Sequence, residues 1–553
     1  MLARDASTLR TSIRDRHTAR GGSIVSERDV VGRACCVAAP IAFGLLALAL
    51  GQDANWDLQN YHWYNAYAFL TGRGDLDLAP AQTPTFYNPL LDVPFFVLAQ
   101  HAPAWLCTFV LALAHGFDFV LLYALSRVLV PQWSRIARGG GGALIAALGV
   151  AGGGVFGLLG TTFYDNALSL FLLSALWLVC RALAGGVIDL RTLAAAGLLA
   201  GAGVGLKLPT ATYALGLSIA CFALPGSVAT RLKRTTTFGL AGLVGVLAFG
   251  GFWMLHLWRH FGNPVFPYFN DVIGSSMALK ENYRDTRFIP TSLLDALALP
   301  FRSAFNPYLV GEVDFTDYRI LLLIVAALVT GAFAALRRTK KTGPDAAPSA
   351  PMLAPALRFA FIAAAAAYAA WLAVFAIYRY LVALELLAPV LAAALIAAWP
   401  IRPRTRVAIG LACALLLAVT TRTSYWNRVP FGARFVEVTA PQMDPNPMVL
   451  MAGYGPLAWV IPSFPAGVPF VRLHGYGNEL RDADSGLARI ARTRVANHSG
   501  SFYLLFEADD VALVDEVLAR FDLAANLAAC EPIDGNLNGG LRLCPVHRTS
   551  TSP

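Results

Sequence analysis

Long apolar runs dominate the chain, and they constrain its fold more than any other feature of the sequence. A helix needs about 20 apolar residues to cross a bilayer, and fewer when it is short. Only 14% of the residues are charged, against about 25% in a typical soluble domain. We therefore predict an all-α polytopic membrane protein with about eleven transmembrane helices. The predicted spans are 34–51, 105–130, 142–160, 163–182, 192–206, 209–225, 237–257, 319–336, 359–378, 381–399 and 407–421.

The net charge of +9 lies on one side of these spans. If the eleven spans alternate, every basic cluster falls in the same set of segments. The clusters are the arginines of residues 1–33 and the Lys and Arg residues within 135–138, 181–191, 231–234, 337–341 and 402–406. By the positive-inside rule, this side faces the cytoplasm. The charge is therefore interpreted as a topology signal, and no nucleic-acid partner is expected.

This topology divides the chain into three parts. Residues 1–33 form a cytoplasmic basic segment, residues 34–421 the transmembrane part, and residues 422–553 a domain outside the cytoplasm. Two long loops, 52–104 and 258–318, also lie outside. The short runs SFYLLFE and LRLCPV predict strands in the C-terminal part, and DDVALVDEVLARF has the apolar spacing of a helix. We predict a small α/β domain there, in which Cys530 and Cys544 can form a disulfide.

Polar residues gather where the predicted spans meet the outer side. Ionisable groups in or beside membrane spans are functional candidates by default. A transporter generally places such groups near the midplane of the bilayer, on broken helices. A site at the outer boundary instead suits a substrate whose lipid tail stays in the bilayer while its phosphate reaches water. The residues are Asp53, Asp57, Tyr61 and His62 on the first outer loop, Asp165 and Asn166 after span three, Lys207 after span five, Arg259 and His260 after span seven, and Arg379 and Glu385 at the start of span ten.

Four stretches of the sequence carry a family resemblance. They are DANWDLQNYHWYNAYAFL (53–70), YNPLLDVPFFVLAQ (87–100), YDN (164–166) and RYLVALE (379–385). The chain resembles the C-type glycosyltransferases (GT-C fold), polytopic enzymes that use polyprenyl-phosphate sugars on the outer face of the membrane. In that family the first outer loop carries an essential acidic residue, and a second acidic site commonly follows span three. Ala383 stands where relatives with an RYxxP-type segment frequently have proline.

The resemblance implies an inverting glycosyltransferase, and we assign roles on that basis. Asp57 is the expected general base, with Asp53 and His62 as further catalytic candidates. Lys207 and Arg379 are expected to hold the lipid phosphate. The remaining substrate-binding candidates are Asp165, Asn166, Arg259, His260, Tyr61 and Glu385. Simpler roles stay open: Asp53, Asp57 and Asp165 can cap helices, and Lys207 can reach the membrane interface.

The expected partners are a polyprenyl-phosphate sugar, membrane lipid, and a glycan, lipid-linked glycan or protein acceptor. No cofactor is required by the sequence, although a divalent cation at Asp165 is one option. The expected location is a bacterial inner membrane, with the active site and the C-terminal domain in the periplasm. Two other functions remain open, a polytopic lipid or polysaccharide transporter and a non-catalytic membrane scaffold or sensor.

Overall fold

The structure is a computed structural model, and it describes residues 30–134, 139–339, 353–477 and 484–549. Most of the basic N-terminal segment, Arg135, Arg138 and most of the predicted linker 337–351 lie outside these ranges. Nineteen helices are found in the described part of the chain. They are α1 (Val30–Leu50), α2 (Trp63–Thr71), α3 (Val93–His101), α4 (Ala104–Leu129), α5 (Pro131–Ser134), α6 (Gly140–Val150), α7 (Gly153–Gly157), α8 (Asp165–Ala184), α9 (Leu190–Leu206), α10 (Ala211–Phe222), α11 (Val228–Phe261), α12 (Asn270–Ile273), α13 (Leu293–Ser303), α14 (Arg319–Thr339), α15 (Pro355–Val374), α16 (Val382–Ala398), α17 (Pro403–Thr420), α18 (Gly486–Asn497) and α19 (Val511–Ala519).

Each of the eleven predicted spans corresponds to an apolar helix. Among the described residues, eight helical segments are long and apolar enough to cross a membrane, and three more, within α6, α9 and the stretch 208–222, are shorter. The predicted helical membrane part is therefore confirmed, but the third predicted span is wrong in its length. α6 ends at Val150, and the separate short helix α7 begins at Gly153.

Close packing of α9 against α11 depends on glycine. A Cβ atom placed on Gly201 would lie 1.9 Å from the carbonyl oxygen of Gly242, and one placed on Gly197 would lie 2.2 Å from that of Phe238. Small residues at a four-residue spacing let two membrane helices approach in this way. The contact fixes the position of the end of α9, and Lys207 follows directly after that end.

The C-terminal part folds around a mixed sheet. The strands of the described chain are β1 (Gln52–Asp53), β2 (Arg428–Val429), β3 (Val438–Thr439), β4 (Met448–Met451), β5 (Phe470–Arg472), β6 (Phe502–Glu507), β7 (Leu523–Ala525), β8 (Glu531–Pro532), β9 (Asp534–Gly535) and β10 (Leu541–Arg548). In the main sheet they run in the order β5, β4, β6, β10, β7, and β8 pairs with β10. β4 is parallel to both β5 and β6, whereas β10 is antiparallel to β6. This confirms the predicted small α/β domain.

Cys530 and Cys544 form the predicted disulfide, at a sequence separation of 14. A closed loop of about 15 residues contributes about 3 kcal/mol to stability in the chain-entropy model. The other six cysteines lie in or beside the apolar helices. The bond therefore reinforces the sheet domain alone.

The first outer loop is bound tightly to this domain. β1 pairs with β2, and Leu78 forms a further bridge with Val471 of β5. The buried guanidinium of Arg73 binds both carboxylate oxygens of Asp77 and donates to the carbonyl oxygens of Ala466 and Val468. The loop and the sheet domain thus form one continuous body at one end of the apolar helices.

Candidate functional site

Asp57 lies at the entrance of a π-helical turn, Leu58–His62, which leads into α2. Such turns occur frequently at functional sites. Its Oδ2 lies 2.7 Å from Nη1 of Arg379 and accepts a hydrogen bond from the Tyr61 hydroxyl at 3.0 Å. Asp57 makes no side-chain hydrogen bond that caps the helix. The alternative that Asp57 serves only as a cap is therefore not supported by its contacts.

Two opposing effects act on the Asp57 carboxyl. Burial alone would raise its pKa, but the positive charge of Arg379, assisted by His62 and Lys207, outweighs burial and holds the pKa below its usual value. Asp57 is consequently ionised at neutral pH, which is the state required to accept a proton.

A second ion pair lies on the other side of the cluster. Lys207 Nζ donates to Asp165 Oδ1 at 2.9 Å and to the carbonyl oxygen of Phe163 at 3.1 Å. The other oxygen of Asp165, Oδ2, is buried and has no hydrogen-bond partner among the described residues. Because buried polar atoms are nearly always satisfied, this oxygen is a candidate to accept a hydrogen bond from a substrate.

The two cations surround one aromatic ring. Lys207 Nζ lies 5.6 Å from the centroid of Tyr380, and the guanidinium carbon of Arg379 lies 5.7 Å from it. Arg379 also stacks over Phe163 at 4.2 Å and lines a small pocket with Trp426. Four separate segments, from residues 57, 163–165, 207 and 379, therefore meet at one point.

His62 belongs to a buried pair that the sequence did not reveal. Its Nδ1 lies 2.6 Å from Asp92 Oδ1, and its Nε2 is buried without a hydrogen-bond partner among the described residues. Burial raises the pKa of Asp92, and the adjacent His62 opposes this rise. Asp92 stands 30 positions after His62, so the sequence gives no sign of the pairing. The one feature of Asp92 visible in the sequence is its place directly before α3. We assign His62 a positioning role through Asp92.

Asp53 is placed differently from Asp57, and we revise its assignment. Its carboxylate is fully buried. It accepts hydrogen bonds from the backbone and side chain of Asn55 and from the backbone and side chain of Thr162. Burial raises its pKa in spite of these bonds. Through these hydrogen bonds, Asp53 fastens the start of the loop to the segment before α8.

Glu385 is likewise structural rather than substrate-binding. Its carboxylate is fully buried and accepts hydrogen bonds from the backbone N–H groups of Gly154 and Val155 at the start of α7. A Cβ on Gly152 would lie 2.1 Å from Glu385 Oε1, so any larger residue at position 152 would clash with this side chain. Glu385 therefore holds α7 and α16 together.

The remaining predicted residues fall outside the ion-pair cluster. Arg259 and His260 are exposed at the end of α11, and the His260 ring packs against His256. Asn166 is buried and bonds to His115, inside the helical bundle. The substrate-binding roles of these three residues stay predictions, and the cluster itself brings together Tyr61, Asp165, Lys207 and Arg379 with Asp57.

A divalent cation at Asp165 was one option from the sequence, and the geometry does not fit it. Lys207 already supplies positive charge to that carboxylate. Within the described ranges, no three His, Cys, Asp or Glu side chains converge as metal ligands normally do. No step below runs through a metal ion.

Fold and site together define a multi-pass helical membrane protein with paired acids and bases at one end of its helices, under an α/β domain. No protein-family model matches the sequence, and no curated protein matches it.

Solved structures that align with the chain include an Archaeoglobus fulgidus oligosaccharyltransferase, AglB, in complex with an inhibitory peptide and a dolichol-phosphate. It shares 12% identity over 86% of this chain and 70% of its own, with a TM-score of 0.42. Another structure of that enzyme is a complex with Zn and sulfate, with 12% identity over 87% and 69% of the two chains and a TM-score of 0.42.

ArnT from Cupriavidus metallidurans, bound to undecaprenyl phosphate, aligns over 94% of this chain and 98% of its own. The identity is 13% and the TM-score 0.38. A further structure of the Archaeoglobus fulgidus oligosaccharyltransferase, tethered with an acceptor peptide, aligns with 12% identity and a TM-score of 0.41. Because these identities and TM-scores are low, we infer the function of this chain from its own residues.

Proposed function

We propose that the protein is an inverting glycosyltransferase that moves a sugar from a polyprenyl-phosphate donor to a glycan, lipid-linked glycan or protein acceptor. One observation carries the proposal. Two cations, Lys207 and Arg379, flank the Tyr380 ring, and each is paired with a carboxylate at the outer ends of membrane helices. A lipid phosphate needs such cations, and a reacting hydroxyl needs such a carboxylate.

In the proposed reaction, the donor phosphate binds between Lys207 and Arg379. The acceptor oxygen attacks the anomeric carbon, the bond from that carbon to the phosphate oxygen breaks, and the electron pair leaves with the polyprenyl phosphate. Asp57 takes the proton of the acceptor hydroxyl. Because one displacement occurs, the anomeric configuration inverts. The two cations stabilise the charge that grows on the leaving phosphate.

The ion pair between Asp57 and Arg379 implies that the donor binds before Asp57 becomes an effective base. Arg379 lowers the pKa of Asp57 while the two side chains are paired, so Asp57 is then a weak base. A phosphate that draws Arg379 away would return the pKa of Asp57 toward its usual value. Donor binding would therefore strengthen the base that the acceptor needs.

Lys207→Ala is expected to raise the donor KM at least about tenfold and to lower turnover as well, because the phosphate is charged in both the ground state and the transition state. Steady-state kinetics at varied donor concentration measure both quantities. Arg259→Ala removes an exposed cation at the end of α11 and is the matched control. An equal effect of the two substitutions would mean that Lys207 acts only through general surface charge.

We further place the first outer loop and the C-terminal domain in the periplasm, on the basis of the basic clusters on the opposite side. Reporter fusions after residue 75 and after residue 440 are expected to be active outside the cytoplasm. The tight contact between the two regions requires the two reporters to agree. A cytoplasmic signal at either position would contradict the proposed location of the site.

The function itself is tested by comparing the lipid-linked sugars and surface glycans of a deletion strain with those of its parent. We expect an unused polyprenyl-phosphate sugar to accumulate and a glycosylated product to disappear, with recovery of both on complementation. Complementation by Asp57→Asn is expected to fail. Unchanged lipid and glycan profiles would contradict the assignment as a glycosyltransferase.

A further inference from the structure

Three aromatic side chains form an exposed cluster beside the site. The ring centroids of Trp56 and Tyr476 are 6.1 Å apart, and those of Tyr454 and Tyr476 are 4.8 Å apart. Trp56 is 37% exposed and Tyr476 is 48% exposed, while Tyr454 is half-buried. We call Trp56, Tyr454 and Tyr476 the aromatic platform. Large exposed rings that converge from three segments of a chain indicate a binding surface.

The two tyrosines stand in matching Gly-Tyr-Gly turns, at residues 453–455 and 475–477. Both turns are held by hydrogen bonds from outside themselves. Gln82 accepts from the backbone N–H of Tyr476 at 2.8 Å and donates to the carbonyl oxygen of Tyr454 at 3.2 Å. Asp510 accepts from the backbone N–H of Tyr454 at 3.0 Å. The platform is therefore preorganised, which lowers the entropy cost of binding a ligand.

The location of the platform also favours binding. The two turns follow β4 and β5, which are neighbouring parallel strands, so both lie at the carboxyl edge of that part of the sheet. Ligands in α/β sheets bind outside the carboxyl ends of the strands. Trp56 directly precedes Asp57, so their Cα atoms are about 3.8 Å apart. The platform therefore includes the residue next to the proposed base in the chain.

We propose that the aromatic platform binds a sugar ring of the acceptor, which makes the acceptor a glycan or a lipid-linked glycan. This inference rests on the proposed function. The ring face of Trp or Tyr is negatively polarised, and the C–H face of a pyranose presents weakly positive hydrogens to it. The three platform side chains carry no formal charge at neutral pH, which suits a neutral ring.

Two other ligands fit less well. A peptide acceptor commonly binds by adding a strand to an exposed sheet edge. The outer edge of β5 is already occupied, since Leu78 donates to the carbonyl oxygen of Phe470 and accepts from the backbone N–H of Arg472. A bilayer surface would require the rings to follow the apolar helix ends. Tyr454 and Tyr476 instead stand on turns of the sheet domain, held by Gln82 and Asp510.

The test is direct binding of neutral trisaccharides to the purified full-length protein in nanodiscs, without donor. Saturation-transfer NMR with maltotriose, cellotriose, chitotriose and mannotriose at millimolar concentration is suitable. We expect at least one of them to bind, and Trp56→Leu and Tyr476→Leu each to weaken that binding at least about tenfold. Tyr476→Phe keeps the ring and is expected to stay within about twofold of the wild type.

Trp258→Leu is the matched control, because Trp258 is an exposed tryptophan, 63% exposed, on α11. Unchanged thermal unfolding of each variant ensures that loss of binding does not reflect loss of fold. Absence of binding by every trisaccharide would overturn the proposal, as would equal binding by the leucine variants. Binding of Ser-, Thr- or Asn-containing peptides that the leucine variants lose would assign the platform to a protein acceptor instead.

This outcome is separable from that of the proposed function, because no sugar transfer is measured. Asp57→Asn is expected to bind the trisaccharide normally while it loses turnover. Normal trisaccharide binding together with full turnover in Asp57→Asn would leave the platform intact and contradict the proposed base.

Discussion

Asp57→Asn is expected to lower turnover at least about 100-fold while expression and donor binding stay near normal. An asparagine keeps the size of the side chain, and its Oδ1 can still accept the hydrogen bonds that Tyr61 and Arg379 now donate. It cannot take the proton of an acceptor hydroxyl. Single-turnover assays with saturating donor separate the chemical step from binding, and they are the appropriate measurement.

Asp53→Asn is the matched control, four residues earlier on the same loop. Because the Asp53 carboxylate accepts from two backbone N–H groups and two side chains, this variant is expected to unfold at a lower temperature. The protein that remains folded is expected to turn over normally. Loss of turnover in folded Asp53→Asn together with normal turnover in Asp57→Asn would reverse the two roles.

Arg73→Ala is expected to destabilise the protein by about 3–5 kcal/mol, because removal of one partner leaves a buried charge uncompensated. The side chains of Arg73 and Asp77 are 4% and 1% exposed. Asp77 also accepts from the backbone N–H of Phe470, so its charge lies at the junction between the outer loop and the sheet domain. Thermal unfolding in detergent measures the loss.

Arg287→Ala is the comparison for this effect, since Arg287 pairs with Asp285 while 65% exposed. Exposed ion pairs contribute about 0–1 kcal/mol, so little change is expected. If the two variants unfolded at the same temperature as the wild type, the buried pair would not be what fastens the loop to the domain.

The sequence was most informative about the membrane helices. Apolar runs report burial in lipid directly, so all eleven positions could be predicted. The break after Val150 could not, because its cause is the carboxylate of Glu385, more than 200 residues away in the chain. β5 and α18 were missed because three residues, Phe470–Arg472, carry little periodicity, and α18 is rich in arginine.

At the site, the grouping of several residues was predictable, whereas their pairing was not. The topology placed Asp57 and Arg379 at the same boundary, although they stand 322 positions apart. Asp53 and Asp57 look alike in DANWD, and only contacts with residues 162 and 428 distinguish them. Asp92 was missed because its partner, His62, lies on a different helix.

The hydrogen bonds from Arg73 to the carbonyl groups of Ala466 and Val468 can form only late in the synthesis of the chain. The two ends of one such bond are 393 positions apart, and the apolar helices lie between them. At about 5–20 residues per second, synthesis of that stretch takes roughly 20–80 s. During this time the arginine and its neighbours have emerged without their partners. The nascent loop is therefore exposed to proteases and to chaperones that hold unfolded segments, and the fold is complete only after the last quarter of the chain has been synthesised.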